Sequence, residues 1–592
     1  MSWGWRNKPR SVIKTVQWFK YFSNLENENW DYTANKLAAN NIKIHPIRRK
    51  YYFDAQLKEE DSPINGLSYE DYLNGTKDGK ADSESNARND LATYKFYGFG
   101  YIDNEGLIRV TKAGKLISEG KFDSELFLKQ LLKMNFPSVC TNYGHDIKDG
   151  NRVFPLQIII KLLLDLEYLN GYELAYIFLC NDISQYDSLV NSIKKFRADY
   201  NALDNKMKSS ECEEIFNKYA KEYFDYVKEP NKGDPLSYID SIMRALDFTR
   251  LFDISGRGLY KKVRIAEHSK KKVELINSKY SFITINNDNL DAYMEWYGNP
   301  DNIILPWENK DDRKSLLVDK INLLDKTIHI VNEKYELEIE LDSAELYSKV
   351  NSMDSSTELK LFEEELITKL TTLNEEIFIK YTSKNEDTRK EITDRFDSIK
   401  SRESEDMAAL WLECNTWKSL VAIDGNQNVV RNFDVEEDLT PKSFAPGKNN
   451  TPDMELYYND TILIPEVSLM SGVQQWEHEG SSVIDHVMKF IDQDAGKEVY
   501  GLFISNSINK RTDWQFFLLN KESWMGNPVP VIPLTIEQYS DIISFIYAKN
   551  IHIKHFVELI RDIHENTLSL DSYKQWNECI NNTIIHWKEE YV

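Results

Sequence analysis

Apolar residues recur with a helical period through most of the chain, and short strand patterns interrupt that period at a few places. Residues 86–138 predict a helix, a hairpin that turns at Asn104, Glu105 and Gly106, and a further helix. A second stretch, 240–275, repeats the order of helix followed by hairpin. The first half of the chain is therefore predicted to contain two similar units.

A helix followed by a hairpin wing is the order of winged-helix modules, which commonly bind duplex DNA through one helix while the wing contacts the backbone. The opening of the chain is basic and aromatic, with Trp3, Trp5 and Trp18. This opening is either a DNA-contacting arm or the packed first helix of a domain, and we prefer the packed helix.

The composition of the chain changes near residue 300, because glycine and proline become absent over a long stretch. No glycine stands between Gly298 and Gly425, and no proline between Pro306 and Pro441. Since Gly and Pro are the strongest helix breakers, the spaced apolar residues of 301–400 predict long helices. We interpret this stretch as a helical linker that joins two functional parts.

The last third of the chain mixes helices with buried strands. Its pattern predicts a helix at 404–423, paired strands within 452–468, a strand at 500–506, and a strand followed by a helix at 531–545. This order is typical of an α/β core. We therefore expect a multidomain α+β protein.

Length and composition add limits to this picture. A chain of 592 residues is too long for one core, and 41% hydrophobic and 12% aromatic residues are globular values. No run of eighteen apolar residues occurs, so no membrane span is expected, and the basic N-terminus lacks the apolar segment of a secretory signal. Five scattered cysteines exclude a CxxC zinc knuckle and favour a cytoplasmic protein.

The net charge of −23 argues against a protein that coats nucleic acid by bulk electrostatics, so any DNA contact must be local. The densest basic cluster consists of Arg257, Lys261, Lys262, Arg264, Lys270, Lys271 and Lys272. In a winged-helix context this cluster is predicted to contact phosphates. The alternative is a solvated hairpin and helix face.

Candidate chemistry lies in PDMELYYNDTILIPEVS, residues 452–468. Asn459 and Asp460 suit a two-residue hairpin loop, which would place Asp453 opposite Glu466 on one face. Two carboxylates that close repel each other unless a cation lies between them, and oxygen ligands favour Mg²⁺. A solvent-exposed hairpin edge with two acids on its wet face is the alternative.

A third carboxylate, Glu413, falls on the same side of its predicted helix as Ala409, Leu410, Trp417 and Leu420. Burying an unpaired carboxylate is costly, so a metal or another partner is expected there. The alternative is a glutamate at the edge of the apolar face that reaches solvent.

The chain resembles the AlwI-type restriction endonucleases in collinear segments that cover most of its length. These are YKFYGFGYIDNEGLIRVTKAGKL, FLKQLLKMNFPS, FPLQIIIKLLLDL, RALDFTRLF, WYGNP, ECNTWKSLVAI, PDMELYYNDTILIPEVS and YGLFISNSINK. The resemblance implies winged-helix-like DNA-recognition domains in 1–300, a helical linker in 301–400, and an α/β nuclease domain of PD-(D/E)xK type in 401–592.

Carried over by residue, the four catalytic acids of the family fall on Glu413, Asp453, Glu466 and Glu479. Supporting positions fall on Ser468, Gln475 and His486. Ser468 stands where other PD-(D/E)xK nucleases have lysine, and the resemblance implies a hydroxyl residue at this position. Glu413, Asp453 and Glu466 are the expected Mg²⁺ ligands.

The resemblance implies a type IIS restriction or strand-nicking endonuclease that recognises a short asymmetric sequence in double-stranded DNA and cuts a few bases to one side. Because one catalytic centre cuts one strand, duplex cleavage would need a second subunit or a transient dimer. A cognate DNA methyltransferase is expected in the same system. The alternative is a non-catalytic recognition subunit of a heteromeric restriction enzyme, which the four acids disfavour.

Overall fold

The structure is a computed structural model. It describes all residues except 1–2, 36–42, 57–67, 75–82, 145–146, 148–149, 204–207, 230–232, 256–257, 286–288, 337, 401–407, 426–427, 443–450, 473–474, 477–479, 494–495, 522–527 and 592. The described part is a mixed α+β chain, mostly helical, with small sheets. None of its described helices is long and apolar enough to cross a membrane.

The chain divides into two compact units. Unit 1 comprises Met1–Asp319 and Asp354–Ser356, and unit 2 comprises Lys320–Met353 and Thr357–Val592. Each unit has a hydrophobic core of its own, which confirms that the chain is too long for one core. The assignment of residues 301–400 as a linker stays a prediction.

The elements of unit 1 are mostly short helices. The helices are Val12–Ser23 (α1), Pro46–Gln56 (α2), Tyr69–Asn74 (α3), Ser83–Phe96 (α4), Lys112–Ser118 (α5), Ser124–Lys133 (α6), Pro155–Leu166 (α7), Gly171–Ala175 (α8), Tyr186–Asn201 (α9), Ser209–Phe224 (α10), Ile239–Phe248 (α11), Lys270–Lys279 (α12) and Leu290–Tyr297 (α13). The strands are Ala34–Asn35 (β1), Lys43–Ile44 (β2), Gly100–Ile102 (β3), Ile108–Val110 (β4), Tyr168–Asn170 (β5), Phe252–Ser255 (β6) and Lys262–Ile265 (β7).

The two predicted helix-plus-hairpin units are confirmed. Helix α4 precedes the antiparallel pair β3–β4, and α11 precedes the antiparallel pair β6–β7. In each case a chain segment from before the helix pairs with the second strand of the hairpin. A bridge joins Asn29 to Leu107 beside β4, and β5 pairs with β7.

The basic and aromatic opening of the chain packs inside unit 1. Trp3, Trp5 and Trp18 are all buried, and the Trp3 indole N–H donates to the Cys180 carbonyl oxygen at 3.0 Å. Helix α1 is capped by the Ser11 hydroxyl, which accepts from the Lys14 N–H at 3.0 Å. The interpretation as a packed first helix is confirmed for this segment.

A helix of 26 residues, Lys310–Tyr335 (α14), begins in unit 1 and continues into unit 2. The further helices are Ser343–Ser352 (α15), Ser356–Ile377 (α16), Glu386–Lys400 (α17), Ala408–Val421 (α18), Gly480–Gln493 (α19), Lys510–Lys521 (α20), Ile536–Lys549 (α21), Ile553–Leu568 (α22) and Trp576–Glu589 (α23). The strands are Val429–Arg431 (β8), Met454–Tyr458 (β9), Thr461–Ser468 (β10), Glu498–Ser505 (β11) and Val531–Thr535 (β12). The prediction of long helices after residue 300 is confirmed.

The five strands in the described part of unit 2 form one mixed sheet in the order β12-β11-β10-β9-β8. Strands β10, β11 and β12 are parallel, whereas β8, β9 and β10 are antiparallel. Every residue of β10 is buried, which explains why its sequence is a nearly continuous apolar run. Helices α18 and α19 both contact this central strand.

Candidate active site

The hairpin β9–β10 has the predicted register. Leu456 pairs with Leu463 across a two-residue loop, and the loop residue Asn459 has a φ of 48°, the left-handed conformation that such loops require. Asp453 lies one residue before β9. Continuing the register from the last paired residues places Asp453 opposite Glu466.

A hydrogen bond brings the Asp453 side chain to β10. The Val467 backbone N–H donates to Asp453 Oδ2 at 2.9 Å, so the carboxylate lies beside the residue that follows Glu466. Pro465 has no N–H, and residues two apart in a strand direct their N–H groups to the same side. Pro465 therefore cannot donate a hydrogen bond to β9, and the β9–β10 ladder ends before it. Beyond this point the Asp453 side chain accepts the hydrogen bond from the Val467 N–H.

Glu466 is 5% exposed and His486 is 6% exposed. His486 Nδ1, on α19, makes a short contact with Glu466 Oε1. A buried carboxylate needs such a partner, because transfer from water without one is costly. His486, a supporting residue in the sequence interpretation, therefore orients the Glu466 carboxylate.

Glu413 lies on α18, which contacts β10. Its side chain is half-buried, between the buried Leu412 and Cys414, while Ala409 one turn earlier is exposed. The carboxylate thus stands at the border of the buried face of α18. The helix faces the strand that carries Glu466, and the metal-ligand role of Glu413 stays a prediction.

Two supporting residues make internal hydrogen bonds that shape the end of the sheet. The Ser468 hydroxyl accepts from the Met470 N–H at 3.0 Å. The Gln475 amide donates to the Met470 carbonyl at 3.0 Å, to the Ser505 hydroxyl at 3.0 Å and to the Ser507 carbonyl at 2.7 Å. Gln475 therefore fastens the segment after β10 to the end of β11.

The donor set suits a hard cation such as Mg²⁺, because Asp453, just before β9, and Glu466, on β10, both supply carboxylate oxygens. An ionised carboxylate has about four acceptor positions, so a hydrogen bond to one oxygen is compatible with a metal bond from the same group. Among the described residues, no three His, Cys, Asp or Glu side chains are grouped closely enough to hold a metal ion. Glu479 lies outside the described residues.

A carboxylate with a perturbed pKa in unit 2 belongs to Asp513, on α20. Burial raises its pKa to about 6, opposed by the Asn577 amide, which donates to Asp513 Oδ2 at 3.1 Å. Asp513 faces α23 through this bond. Asp513 is therefore a titratable group between α20 and α23, and it was not predicted from the sequence.

The members of the basic cluster in unit 1 differ in their exposure and in the groups that surround them. Lys261 is 2% exposed, with Nζ 3.3 Å from Asp240 Oδ1, so its assignment as a phosphate contact is corrected to a buried partner of Asp240. Lys262 Nζ and the Arg264 guanidinium lie 4.7 and 5.3 Å from the ring centre of Tyr168. Both are on strand β7.

The remaining members of the cluster have acidic neighbours. Lys270 lies 2.5 Å from Glu267, Lys271 lies 3.7 Å from Asp319, and Lys272 lies 3.8 Å from Glu125. Arg257 falls outside the described residues. Lys262 is half-buried and Arg264 is exposed, and their role as phosphate contacts stays a prediction.

A family model described as AlwI restriction endonuclease matches residues 97–542, more than half of the chain. The chain belongs to the AlwI restriction endonuclease family. As a member of that family it is a nuclease, and DNA is its substrate. None of the curated proteins matches this AlwI-family chain significantly.

One solved structure that this AlwI-family chain resembles is the small subunit (R.BspD6I2) of the heterodimeric restriction endonuclease R.BspD6I. The two are 21% identical, the match covers 33% of this chain and 98% of that chain, and the TM-score is 0.28.

Proposed function

We propose that this AlwI-family chain recognises a short asymmetric duplex sequence with unit 1 and hydrolyses one phosphodiester bond a few bases outside it with unit 2. The observation that carries this proposal is the bond from the Val467 N–H to the Asp453 carboxylate, at 2.9 Å. It holds one acid of the PD motif beside the strand that carries the other, Glu466. This is the type of site expected of a PD-(D/E)xK nuclease.

Recognition is assigned to two winged-helix-like units built on α4 with β3–β4 and on α11 with β6–β7. The repeated order, with an earlier segment added beside the second hairpin strand, supports this assignment. Helices α4 and α11 are the proposed recognition helices. Lys262 and Arg264, on the wing strand β7, would contact backbone phosphates.

In the nuclease unit, Asp453 and Glu466 would hold Mg²⁺ directly, and Glu413 would be a third ligand, either direct or through a water molecule. When bound, the cation would lower the pKa of a water molecule and offset charge on the phosphate oxygens. His486 keeps the Glu466 carboxylate in place through its Nδ1, since groups that hydrogen-bond a ligand residue set its orientation. Glu479 would orient the attacking water.

One centre cuts one strand, so we assign duplex cleavage to a transient dimer or a second subunit. A cognate DNA methyltransferase would protect the sites of the host genome. The five cysteines are free thiols, which supports a cytoplasmic location.

The test of the nuclease site is the pair of variants Asp453→Ala and Glu466→Gln. Supercoiled plasmid is digested with Mg²⁺, and run-off sequencing of both strands locates the cuts. Both variants should lose cleavage while gel-shift binding of the same DNA survives, because recognition is assigned to unit 1. Glu498→Gln is the matched control, since Glu498 is an acid of the same sheet that pairs with Arg561 at 2.6 Å. If either site variant still cleaved the plasmid, the assignment of Asp453 and Glu466 as the catalytic acids would be wrong.

A further inference from the structure

Helix α20 presents a cationic and aromatic surface to solvent in its first turn. Lys510, Arg511 and Trp514 are all exposed. Residues three and four apart lie on one face of a helix, so Trp514 shares a face with both cations. We call these three residues the α20 surface.

The α20 surface stands at the end of the sheet where the two acids lie. The Asn509 N–H, one residue before α20, donates to Gln475 Oε1 at 2.6 Å. The same Gln475 amide donates to the Ser505 hydroxyl and to the Met470 carbonyl. Ser505 pairs with Ser468, two residues after Glu466. A single buried side chain therefore fastens the start of α20 to the ends of β10 and β11.

The charges of this surface are not neutralised within the described part of the protein. Neither Lys510 nor Arg511 makes an ion pair with a described carboxylate, and the Arg511 guanidinium lies 5.4 Å from the ring centre of Trp476. The whole chain carries a net charge of −23. Two adjacent cations in an acidic protein favour an anionic ligand with spaced charges, such as a nucleic-acid backbone.

The aromatic member of the α20 surface is Trp514, and its side chain is exposed. Trp514 is 50% exposed, and it is the only tryptophan of the described residues that is exposed to this extent. Tryptophan is highly buried on average, whereas half of the Trp514 side chain lies where a ligand can reach it. Base–aromatic stacking next to a basic surface is the recurring way in which proteins hold single strands.

We infer that the α20 surface binds the DNA strand next to the cut, with Lys510 and Arg511 on its phosphates and Trp514 stacked on a base that has left the duplex. The inference rests on the proposed function, because it takes the end of the sheet as the place of cleavage. A nick frees a strand end whose last bases unstack readily, which gives Trp514 an accessible base face. The surface would hold that strand without reading its sequence.

The test uses the full chain and a short single strand of thymidines that carries 5-bromodeoxyuridine. Ultraviolet irradiation should crosslink this probe to Trp514, as mapped by peptide mass spectrometry. Trp514→Ala should lose the crosslink. The double variant Lys510→Ala/Arg511→Ala should bind the probe with a salt slope (log Kd against log salt) smaller by about 1.4, the value for two phosphate contacts on a single strand.

The matched control is Lys390→Ala/Lys549→Ala, which removes two exposed cations of α17 and α21 in the same unit. Its crosslink and salt slope should equal those of the wild type, and thermal melting checks that all variants are folded. A crosslink that maps outside α20, or an unchanged slope in Lys510→Ala/Arg511→Ala, would overturn the inference. Plasmid cleavage by the wild type is scored separately: absence of cleavage refutes the proposed function, whereas cleavage without a crosslink at α20 refutes this surface alone.

Discussion

Replacing His486 by Ala removes the imidazole that contacts the Glu466 carboxylate within the interior of unit 2. Glu466 and His486 are 5% and 6% exposed, so solvent can compensate little of the lost interaction. Removing one partner of a buried ionic or hydrogen-bonded pair costs about 3 kcal/mol or more. We therefore expect His486→Ala to lower the free energy of unfolding of unit 2 by about 3 kcal/mol.

A matched histidine separates this effect from the loss of packing. His564 Nδ1 lies 2.9 Å from Asn520 Oδ1, so the partner is a neutral amide and not a carboxylate. His564→Ala should cost about 1 kcal/mol, the usual value of a neutral hydrogen bond. The difference between the two variants, about 2 kcal/mol, is what we ascribe to the Glu466 carboxylate.

The assay is urea unfolding of the full chain, followed by tryptophan fluorescence. With an m-value of about 3 kcal/mol per molar, the midpoint should fall by about 1 M for His486→Ala and about 0.3 M for His564→Ala. Adding Glu466→Gln to His486→Ala should recover part of the loss, because an amide is less costly to bury than a carboxylate. Equal midpoints for the two histidine variants would refute the reasoning and remove His486 as the group that positions Glu466.

Three further predictions concern other residues. Glu413→Gln should lose plasmid nicking at low Mg²⁺ with an unchanged melting temperature, and full activity there would remove Glu413 from the metal site. Lys262→Ala/Arg264→Ala should reduce the salt slope of duplex binding by about 1.8, whereas Lys261→Ala should lower stability and leave that slope unchanged. Because burial raises the pKa of Asp513 to about 6, its contribution to stability is fully present below pH 4 and is lost as the pH rises through 6. Asp513→Asn should therefore exceed the wild type in unfolding free energy by roughly 2 kcal/mol at pH 7.5 and match it at pH 4, and a constant difference would contradict this titration.

The hairpin that carries Asp453 and Glu466 could be predicted from the sequence because its geometry is local. A two-residue loop at Asn459 and Asp460 sets which residues of the two strands face each other. The helix-plus-hairpin units were predictable for the same reason, since their period and turn residues lie within about thirty positions of one another.

The partner of Glu466 could not be predicted in this way. His486 lies twenty residues further along the chain, on a helix that meets β10 only because both pack into one core. The hydrogen bonds of the Gln475 side chain likewise join three separate segments of unit 2, so no spacing in the sequence predicts them. Periodicity reports which face of an element is buried, and it does not report which other element covers that face.

The basic cluster shows what the sequence determines and what only the tertiary structure determines. Sequence by itself determined that Lys261, Lys262 and Arg264 stand close together on a predicted hairpin. Only the tertiary structure decided that Lys261 turns inward to Asp240, while Lys262 and Arg264 lie beside Tyr168 on strand β7. Side chains alternate between the two faces of a strand, and burial of a charge depends on a carboxylate that the fold brings from a distant helix. The sequence therefore determined the elements and the acids they carry, and the packing of those elements decided which charged groups are paired in the interior and which lie nearer the surface.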